Sequence, residues 1–332
     1  MDEQRKQFAI SLLAYAVQRG VSAWQLCELS NIDLNELTKK AGGTITTKQV
    51  SDLWKNASHL CGDSLFGLHF GESLQLTALG AVGEIIKNSN TVGEAITIAA
   101  SLTHLVTDLF RMEVMRGKKT FTIQLTPMGS SPDDFVSKQV ADLLMVFTTH
   151  ELSGLLLEKI IPSSVTYPYK ISEPKEYERI FHKPVKKADV YSIEFKNSYW
   201  DLPILTANYE LQKFFLQKVS AAPGDPLSPS ISFQVKILDY LMKNAYMGIL
   251  SLEDVAANFN ITARTLQRKL QDEGVTFQQL ADSARKSLAI HFLESGKYQV
   301  KEISNMLGYN ELSAFSRAFK RWTGKTPVTY QA

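Results

Sequence analysis

Two segments of the chain share one pattern: LEDVAANFNITARTLQRKL, residues 252–270, and VKEISNMLGYNELSAFSRAFKRW, residues 300–322. In each, a short helix with apolar residues at helical spacing is followed by a tight turn and then by a helix rich in Arg and Lys. The pattern predicts two helix-turn-helix units. One charged amphipathic helix usually has only a solvated basic face, but two successive units of this design favour binding to DNA.

Apolar spacing in the first segment predicts how its two helices pack. Ala256 is small where the helices must approach closely, and Thr262 can cap the second helix through its hydroxyl group. The side chains predicted to form one buried face are Leu252, Val255, Ala256, Phe259, Leu266 and Leu270.

The same packing turns polar and basic side chains of the second helix outward. Arg264, Gln267 and Arg268 share one face because they are spaced i, i+3 and i+4. Guanidinium and amide groups are suited to the edges of guanine and adenine in the major groove. We therefore predict that these three residues read bases of one half-site and that Lys269 contacts a phosphate.

The second segment repeats this logic. Its predicted apolar face consists of Ile303, Leu307, Phe315, Phe319 and Trp322. On the remaining faces of its second helix, Ser313 and Arg317 are predicted to read bases of another half-site. Lys320 and Arg321 are predicted to contact phosphates.

One helix is predicted between the two units, over residues 277–293. At ~1.5 Å per residue it would span about 24 Å. Such a connection can hold two recognition helices near the ~34 Å that separates successive major-groove faces of B-DNA. One chain can then read two adjacent groove segments.

Residues 1–220 mix helical and strand patterns, which predicts an α+β domain. We expect a helix capped by Thr47, a long apolar helix over 92–110, and a β-hairpin over 112–125. Further predicted elements are helices over 78–87, 135–161, 174–181 and 205–219, and strands over 165–167 and 191–195.

Residues 221–230 have the composition of an interdomain linker. They contain three prolines together with Gly and Ser, which predicts a semi-rigid connection. The predicted organisation is an effector-binding or dimerisation domain over 1–220, a linker over 221–230, and an all-α DNA-binding domain over 231–332. In the last, a long helix joins two helix-turn-helix units.

Length and charge are compatible with this organisation. The chain has 332 residues, which favours two domains, and a net charge of +2. From residue 225 onward, 13 Lys and Arg stand against 10 Asp and Glu. This excess is mild and would not indicate nucleic-acid binding unaided.

No pattern in the sequence indicates catalysis. Cys27 and Cys61 are too few for a disulfide framework or a four-ligand metal site, and the six histidines lack metal-ligand spacing. No Gly-rich phosphate loop or GxSxG motif occurs. We predict that the protein is not an enzyme and uses no cofactor or metal. Because no run approaches the ~18 apolar residues of a membrane span, we also predict a cytoplasmic protein with no membrane partner.

The C-terminal hundred residues resemble the DNA-binding domain of the AraC/XylS family of bacterial transcription regulators. Ser304 departs from the family, which usually has Ala there, and Gln331 stands where Arg is common; Gln331 can cost one phosphate contact. The residues that carry the resemblance are Val255, Ala256, Arg264, Leu266, Arg268, Leu270, Gly274, Phe277, Arg285, Ala289, Leu293, Ile303, Gly308, Tyr309, Ser313, Phe315, 316–324, Thr326, Pro327 and Tyr330.

The remainder resembles the N-terminal domain of the arabinose-binding-type branch of that family, through segments 65–71, 79–80, 91–95 and 199–204. We expect these segments to stabilise the fold rather than touch a ligand. The resemblance implies a sensor for a small-molecule effector, a homodimerisation platform, or both. It further implies a regulator, more often an activator, that binds double-stranded DNA and RNA polymerase.

Two alternatives stay open from the sequence. The N-terminal domain can serve only for dimerisation, in a regulator that needs no ligand. It can also carry an activity that the C-terminal domain targets to DNA, as in repair regulators with a methyl-accepting cysteine. The effector is not identified by the sequence, and fatty or amino-acid-like ligands are equally admissible. We expect its pocket between the hairpin over 112–125 and the helices around it.

Overall fold

The computed structural model describes residues 2–39, 44–129, 134–156, 160–204, 232–243, 250–296 and 298–331. Contacts divide the chain into two compact units, one holding the described residues up to 204 and the other those from 232. The first unit is α+β and the second is helical, which confirms the predicted fold class. The predicted linker over 221–230 and helix over 205–219 lie outside the described residues, so the domain boundaries stay predictions.

Helices surround one sheet in the first unit. The helices are α1 (Asp2–Gln18), α2 (Ala23–Leu29), α3 (Leu34–Thr38), α4 (Thr47–Cys61), α5 (Phe66–Ser73), α6 (Ala81–Lys87), α7 (Val92–Val106), α8 (Phe135–Leu156) and α9 (Pro174–Phe181). The strands are β1 (Phe110–Arg116), β2 (Thr120–Pro127), β3 (Ser164–Tyr167), β4 (Lys186–Lys187) and β5 (Tyr191–Lys196). Two 3-10 turns, Leu76–Leu79 and Asn197–Tyr199, complete the unit.

The five strands form a sheet in the order β1-β2-β5-β3-β4. Only β3 and β4 pair in parallel, and the other neighbours are antiparallel. Ile123 of β2 lies opposite Ile193 of β5, and both side chains are buried. Helices α7 and α8 contact β1 and β5 respectively. One face of the sheet therefore packs under helices, which explains the alternation seen in the sequence.

Several predicted boundaries were wrong. The N-cap of α4 is Thr46, not Thr47, because the Thr46 hydroxyl accepts the Gln49 N–H while the Gln49 side chain accepts the Thr46 N–H. Helix α7 ends at Val106, since Thr107 is extended, and Phe110 instead starts β1. The predicted 78–87 helix is a 3-10 turn and α6, separated at Gly80. Helix α8 is described as far as Leu156, and the predicted end at Ile161 lies outside any helix.

Close packing of α5 against α8 requires glycine. A Cβ added to Gly67 would lie 2.1 Å from the Gln139 carbonyl oxygen, and one added to Gly71 would lie 2.8 Å from the Val146 Cβ. The Gln139 side chain also accepts the Gly67 N–H at 2.6 Å. Segment 65–71 thus packs closely against α8, in keeping with the structural role expected for it.

Segments 91–95 and 199–204 contact each other. Thr91 forms an isolated β-bridge with Pro203, and the Gly93 N–H donates to the Trp200 carbonyl oxygen at 2.8 Å. A Cβ on Gly93 would lie 2.3 Å from the Trp200 indole. These contacts hold the two segments together, in keeping with the structural role expected for them.

The segment 65–71 also holds a buried charged network. His69 contacts Asp63 through Nδ1 at 2.7 Å and Glu176 through Nε2 at 3.0 Å. Arg179 pairs with Glu72 and Glu176. Burial alone would lower the pKa of His69, but the hydrogen bonds to the two carboxylates outweigh it and raise the pKa to about 9. His69 is therefore a charged core residue at neutral pH.

The second unit packs its helices around one apolar core. They are α10 (Phe233–Lys243), α11 (Leu252–Asn258), α12 (Ala263–Asp272), α13 (Phe277–Ser295), α14 (Val300–Met306), α15 (Leu312–Thr323) and α16 (Pro327–Gln331). The predicted connecting helix is α13, which runs two residues beyond the predicted end. Leu266, Leu270, Phe315 and Phe319 are fully buried, as the apolar spacing predicts. Among the described residues, no helix combines the length and apolar character needed to cross a bilayer.

Candidate nucleic-acid interface and an apolar cavity

The turn of the first helix-turn-helix unit is closed by two backbone hydrogen bonds. The Asn260 N–H donates to the Ala257 carbonyl at 2.8 Å, and the Ile261 N–H donates to the Ala256 carbonyl at 3.0 Å. Asn260 has a φ of 52°, in the left-handed region that Asn tolerates better than most residues. Thr262 then caps α12 by accepting the Thr265 N–H at 3.1 Å.

The second helix-turn-helix unit repeats this turn 48 residues later. The Gly308 N–H donates to the Asn305 carbonyl at 2.9 Å, and the Tyr309 N–H donates to the Ser304 carbonyl at 3.0 Å. Gly308 has a φ of 76° at the position of Asn260. The two units therefore share backbone geometry as well as sequence pattern.

The recognition helices α12 and α15 are offset by 49 residues, one more than the helices that precede them. This offset superposes buried Leu266 on Phe315 and Leu270 on Phe319. On the exposed side it places Arg264 at the position of Ser313 and Arg268 at the position of Arg317. The residues predicted to read bases thus occupy equivalent positions in the two units.

All predicted contact residues of α12 are exposed. Arg264, Gln267 and Arg268 share the face opposite Leu266 and Leu270. Their long side chains can reach the groove of a docked duplex without moving the core. The structure brings these three side chains together, and their role as base readers stays a prediction.

Lys269 lies at the flank of this face rather than at its centre. Its Nζ atom is 5.1 Å from the centroid of the Phe233 ring of α10. Glu273, at the end of α12, accepts the Phe233 and Gln234 N–H groups at 2.7 and 2.6 Å. Helix α10 is thereby docked on α12, and a phosphate contact by Lys269 would have to form at this junction.

Sequence reasoning missed Lys236 on α10. Its pKa is lowered by burial and then by the neighbouring positive charge of Lys269. The Glu273 carboxylate acts on Lys236 in the opposite direction, so this edge of α12 carries two neighbouring cations and one anion. No motif marks Lys236, because its position depends on how α10 docks.

In α15, Ser313, Arg317 and Lys320 are exposed on one face, opposite Phe315 and Phe319. Lys320 occupies the position of Gln271 in α12, a further exposed residue that the sequence analysis did not single out. The two faces differ in chemistry, since Ser replaces Arg at the first position and Lys replaces Gln at the last.

Arg321 has a partner within the protein. Its guanidinium pairs with Asp282 of α13 at 3.0 Å, while Asp282 also lies 3.5 Å from Arg285. The guanidinium of Arg285 lies 5.8 Å from the centroid of the Tyr309 ring, in the turn of the second unit. These contacts connect α13 to the second helix-turn-helix unit. A phosphate contact by Arg321 would share or replace its bond to Asp282.

Ser304 is buried at the position that Ala256 occupies in the first helix-turn-helix unit. Its Oγ atom has no hydrogen-bond partner among the described residues. We expect Ser304→Ala to raise the free energy of unfolding of the C-terminal helical unit by about 1 kcal/mol. The change removes an unsatisfied buried hydroxyl group without leaving a large cavity. Urea unfolding of the full chain checks this value.

The reciprocal change, Ala256→Ser, is the matched control for that experiment and should destabilise by a similar amount. A loss of stability in Ser304→Ala would contradict the expectation, since it would mean that the Ser304 hydroxyl forms a stabilising hydrogen bond.

The α+β unit formed by the described residues up to 204 contains an apolar cavity of about 80 Å³. It lies between the 3-10 turn at 76–79, helices α6, α7 and α8, and the start of β1. The lining side chains are Leu74, Leu76, Leu79, Val82, Ile86, Ala95, Ile96, Ala99, Thr103, Val106, Met112, Leu143, Leu144, Phe147, Thr148, Glu151, Leu152 and Leu155. Of the hairpin and surrounding helices expected to form the pocket, the hairpin contributes only Met112 to this cavity. The chain around the cavity is mainly helical.

The two cysteines are poorly suited to nucleophilic chemistry. Burial raises the pKa of Cys27 to about 11 and that of Cys61 to about 12. Both thiols are therefore protonated at neutral pH. Within the part of the chain that the structure describes, His, Cys, Asp and Glu form no group of three or more able to hold a metal ion.

Comparison with known families separates the chain into the same two parts. Residues 20–204 match the family described as the arabinose-binding domain of AraC transcription regulator, N-terminal. Residues 255–332 match a helix-turn-helix domain family.

Some relatives match nearly the whole chain and others only its C-terminal part. The ornithine utilization regulator of Pseudomonas aeruginosa is 25% identical over 330 residues, covering 98% of this chain and 95% of that protein. The transcriptional activator AggR of Escherichia coli is 36% identical over 80 residues, covering 24% of this chain and 30% of that protein. The crystal structure of the transcriptional regulator CdpR from Pseudomonas aeruginosa has 21% identity and a TM-score of 0.40, and covers 92% of this chain and 95% of that chain.

Proposed function

Because the chain belongs to the AraC family of DNA-binding transcription regulators, with an arabinose-binding-type domain over residues 20–204, we propose that it is a sequence-specific activator controlled by a small-molecule effector. The observation that carries the DNA-reading part is the repeated turn geometry, which presents two exposed faces from equivalent positions. Arg264, Gln267 and Arg268 would read one half-site. Ser313 and Arg317 would read the other.

Phosphate contacts would orient the protein on the duplex. We assign them to Lys269, Lys320 and Arg321, which flank or follow the base-reading faces. The activator role is supported by the similarity of the C-terminal part of the chain to the transcriptional activator AggR. Activation of transcription implies contact with RNA polymerase. A homodimer would let two chains bind adjacent sites.

Effector control is proposed from the cavity of the first unit. It is enclosed by buried apolar side chains, and a small-molecule site is usually a largely preformed apolar pocket with a few polar groups. A ligand bound there would shift the orientation or self-association of the DNA-binding unit through the chain that joins them. The proposed domains are 1–220 for sensing or dimerisation, 221–230 as linker and 231–332 for DNA binding.

Selection of binding sites from a random DNA library by the full chain tests this function. We expect enrichment of a site with two recognisable half-sites, and a metabolite that changes its occupancy. A sequence-specific protein whose occupancy and unfolding midpoint no metabolite changes would instead favour a regulator whose first unit only dimerises.

A DNA-targeted enzyme is the remaining alternative, and the raised pKa values of both thiols argue against a methyl-accepting cysteine. We infer that the protein is not an enzyme. A methyl-transfer assay with alkylated DNA checks this inference, and transfer to Cys27 or Cys61 would overturn it.

Arg317→Ala tests whether the second helix-turn-helix unit reads bases. Since Arg317 is exposed at the position equivalent to Arg268, we expect the affinity for the selected site to fall by about 1–3 kcal/mol. Fluorescence anisotropy with labelled duplex measures the change. Lys301→Ala, which removes the same charge from exposed α14, is the control. Unchanged affinity in Arg317→Ala would make the second unit a spectator.

A further inference from the structure

We propose that Asp282 of α13 is a positioning residue for DNA binding, which orients the Arg321 guanidinium group so that its remaining N–H groups can bind a phosphate of the duplex. This inference rests on the proposed function, in which Arg321 contacts a phosphate. It depends on how Asp282 is held, on the donors that Arg321 keeps available, and on the net charge of the cluster that they form.

The Asp282 carboxylate is fixed by its own helix. Its side chain is 22% exposed, and Gln278, one helical turn earlier, donates to its Oδ1 atom at 2.9 Å. Arg285, one turn later, lies 3.5 Å from the same oxygen. The other oxygen, Oδ2, accepts from Arg321 of α15 at 3.0 Å. One oxygen is therefore held within α13 while the other holds a side chain of the second recognition helix.

Arg321 is held at one point and is otherwise open to solvent. Its side chain is 68% exposed, and the bond to Asp282 uses one terminal nitrogen, Nη2. A guanidinium group has several N–H donors in a rigid fork, so the others can bind a phosphate oxygen while this bond persists. Ordering a long side chain costs conformational entropy, and the bond to Asp282 offsets part of that cost before DNA binds.

The cluster as a whole remains positive. Asp282 contacts the guanidinium groups of both Arg285 and Arg321, so the three side chains together carry one positive charge. A carboxylate that two cations compensate repels a phosphate less than an unpaired carboxylate does, and salt screens the remainder. We therefore expect the orienting effect of Asp282 to outweigh the repulsion between its charge and the DNA.

The cluster lies where α13 meets both helix-turn-helix units. Arg285 lines an open groove together with Gln267 and Gln271 of the recognition helix α12. Its guanidinium group also lies 5.8 Å from the centroid of the Tyr309 ring, in the turn of the second helix-turn-helix unit. A phosphate contact by Arg321 that is fixed to α13 is thereby positioned relative to the helix that connects the two recognition helices.

The test is a double-mutant cycle on the full chain with Asp282→Ala, Arg321→Ala and the two changes together. Fluorescence anisotropy measures binding to the selected duplex and to a scrambled one at several salt concentrations. We expect Asp282→Ala to weaken binding to both duplexes by about two- to fivefold. The slope of log affinity against log salt should become shallower by up to about one. Because Asp282 acts through Arg321, the double variant should bind no more weakly than Arg321→Ala.

Asp272→Ala is the matched control, since it removes the same charge from the exposed last residue of α12. It should strengthen binding or leave it unchanged. Urea unfolding verifies that each variant folds. Asp282→Asn keeps an oxygen that can accept from Arg321, and we expect it to weaken binding in the same direction but less than Asp282→Ala.

Stronger or unchanged binding by Asp282→Ala would overturn the inference, and so would a loss that persists in full in the Arg321→Ala background. If Arg321→Ala binds as tightly as the unaltered chain, Arg321 contacts no phosphate and the inference is overturned as well.

Site selection with the unaltered chain distinguishes these failures from a failure of the proposed function. A chain that selects a specific sequence, with an Asp282→Ala variant that binds it equally well, overturns only the positioning role. A chain that selects no sequence overturns the DNA-reading function itself.

Discussion

Arg268→Ala is expected to weaken binding to the selected DNA site by about 1–3 kcal/mol and to weaken binding to a scrambled site much less. Arg268 lies on the exposed face of α12 with Arg264 and Gln267, one turn after Arg264. A guanidinium group can donate two parallel hydrogen bonds to a guanine edge, so its loss removes both affinity and preference for that base pair. Titration of matched and scrambled duplexes by anisotropy or footprinting measures the two effects.

Arg268→Lys is the matched variant, because it keeps the positive charge and removes the planar fork. A base-reading role predicts that Lys fails to restore specificity, and that the specificity lost in both variants lies at one base pair. Equal losses on both sequences, with recovery in Arg268→Lys and a shallower dependence on salt in Arg268→Ala, would make Arg268 a phosphate contact instead.

Raising the pH from 7 to 10 is expected to destabilise the first unit through deprotonation of His69. The pKa of His69 in the folded protein is about 9, above its ordinary value of 6.5, because Asp63 and Glu176 bind the protonated ring strongly enough to outweigh burial. A group whose pKa is raised by folding contributes stability that is fully present below the unfolded pKa. That stability is lost as the pH rises through the folded pKa. The full contribution is on the order of 3 kcal/mol.

Asp142 does not obscure this window. Burial raises its pKa to about 7, against the lowering effect of the Tyr177 hydroxyl group, which lies 2.9 Å from both carboxylate oxygens. Its contribution to stability is therefore lost between its ordinary value near 3.8 and pH 7. Above pH 7 the two groups can be distinguished.

Chemical unfolding at several pH values, with His69→Gln as the comparison, measures the effect. His69→Gln should make the dependence between pH 7 and 9 shallower, whereas above pH 9 the two buried thiols, whose pKa values are also raised, lower the stability of both proteins. Titration of the His69 ring by NMR in the unaltered protein gives the pKa directly. A value near 6.5 would contradict the prediction, whatever the stability of the variant.

The helix-turn-helix units were predictable because their design is local. Within each helix-turn-helix unit, the apolar spacing and the residue with positive φ lie within about twenty consecutive positions, and in the first of them so does the N-cap at Thr262. The buried and exposed faces of α12 and α15 followed directly from helical periodicity. The same reasoning misplaced the cap of α4, since Thr46 and Thr47 are adjacent and only the return bond from Gln49 distinguishes them.

Boundaries in the first unit were less predictable because tertiary contacts override periodicity. The apolar run over 92–110 continues past the end of α7, but Phe110 packs its ring 5.6 Å from that of Tyr191 in the sheet. An apolar residue at helical spacing is equally suited to a buried strand, so sequence spacing alone could not place the boundary.

The sequence by itself determined the family, the order of an α+β unit and a helical unit, and the faces of the recognition helices, because each depends on residues close together in the chain. Only the tertiary structure decided the cavity at Glu151 and the charge of His69. Glu151 meets Leu76 across 75 positions and His69 meets Glu176 across 107. Burial and electrostatic pairing depend on such distant contacts, and no local pattern of residues records them.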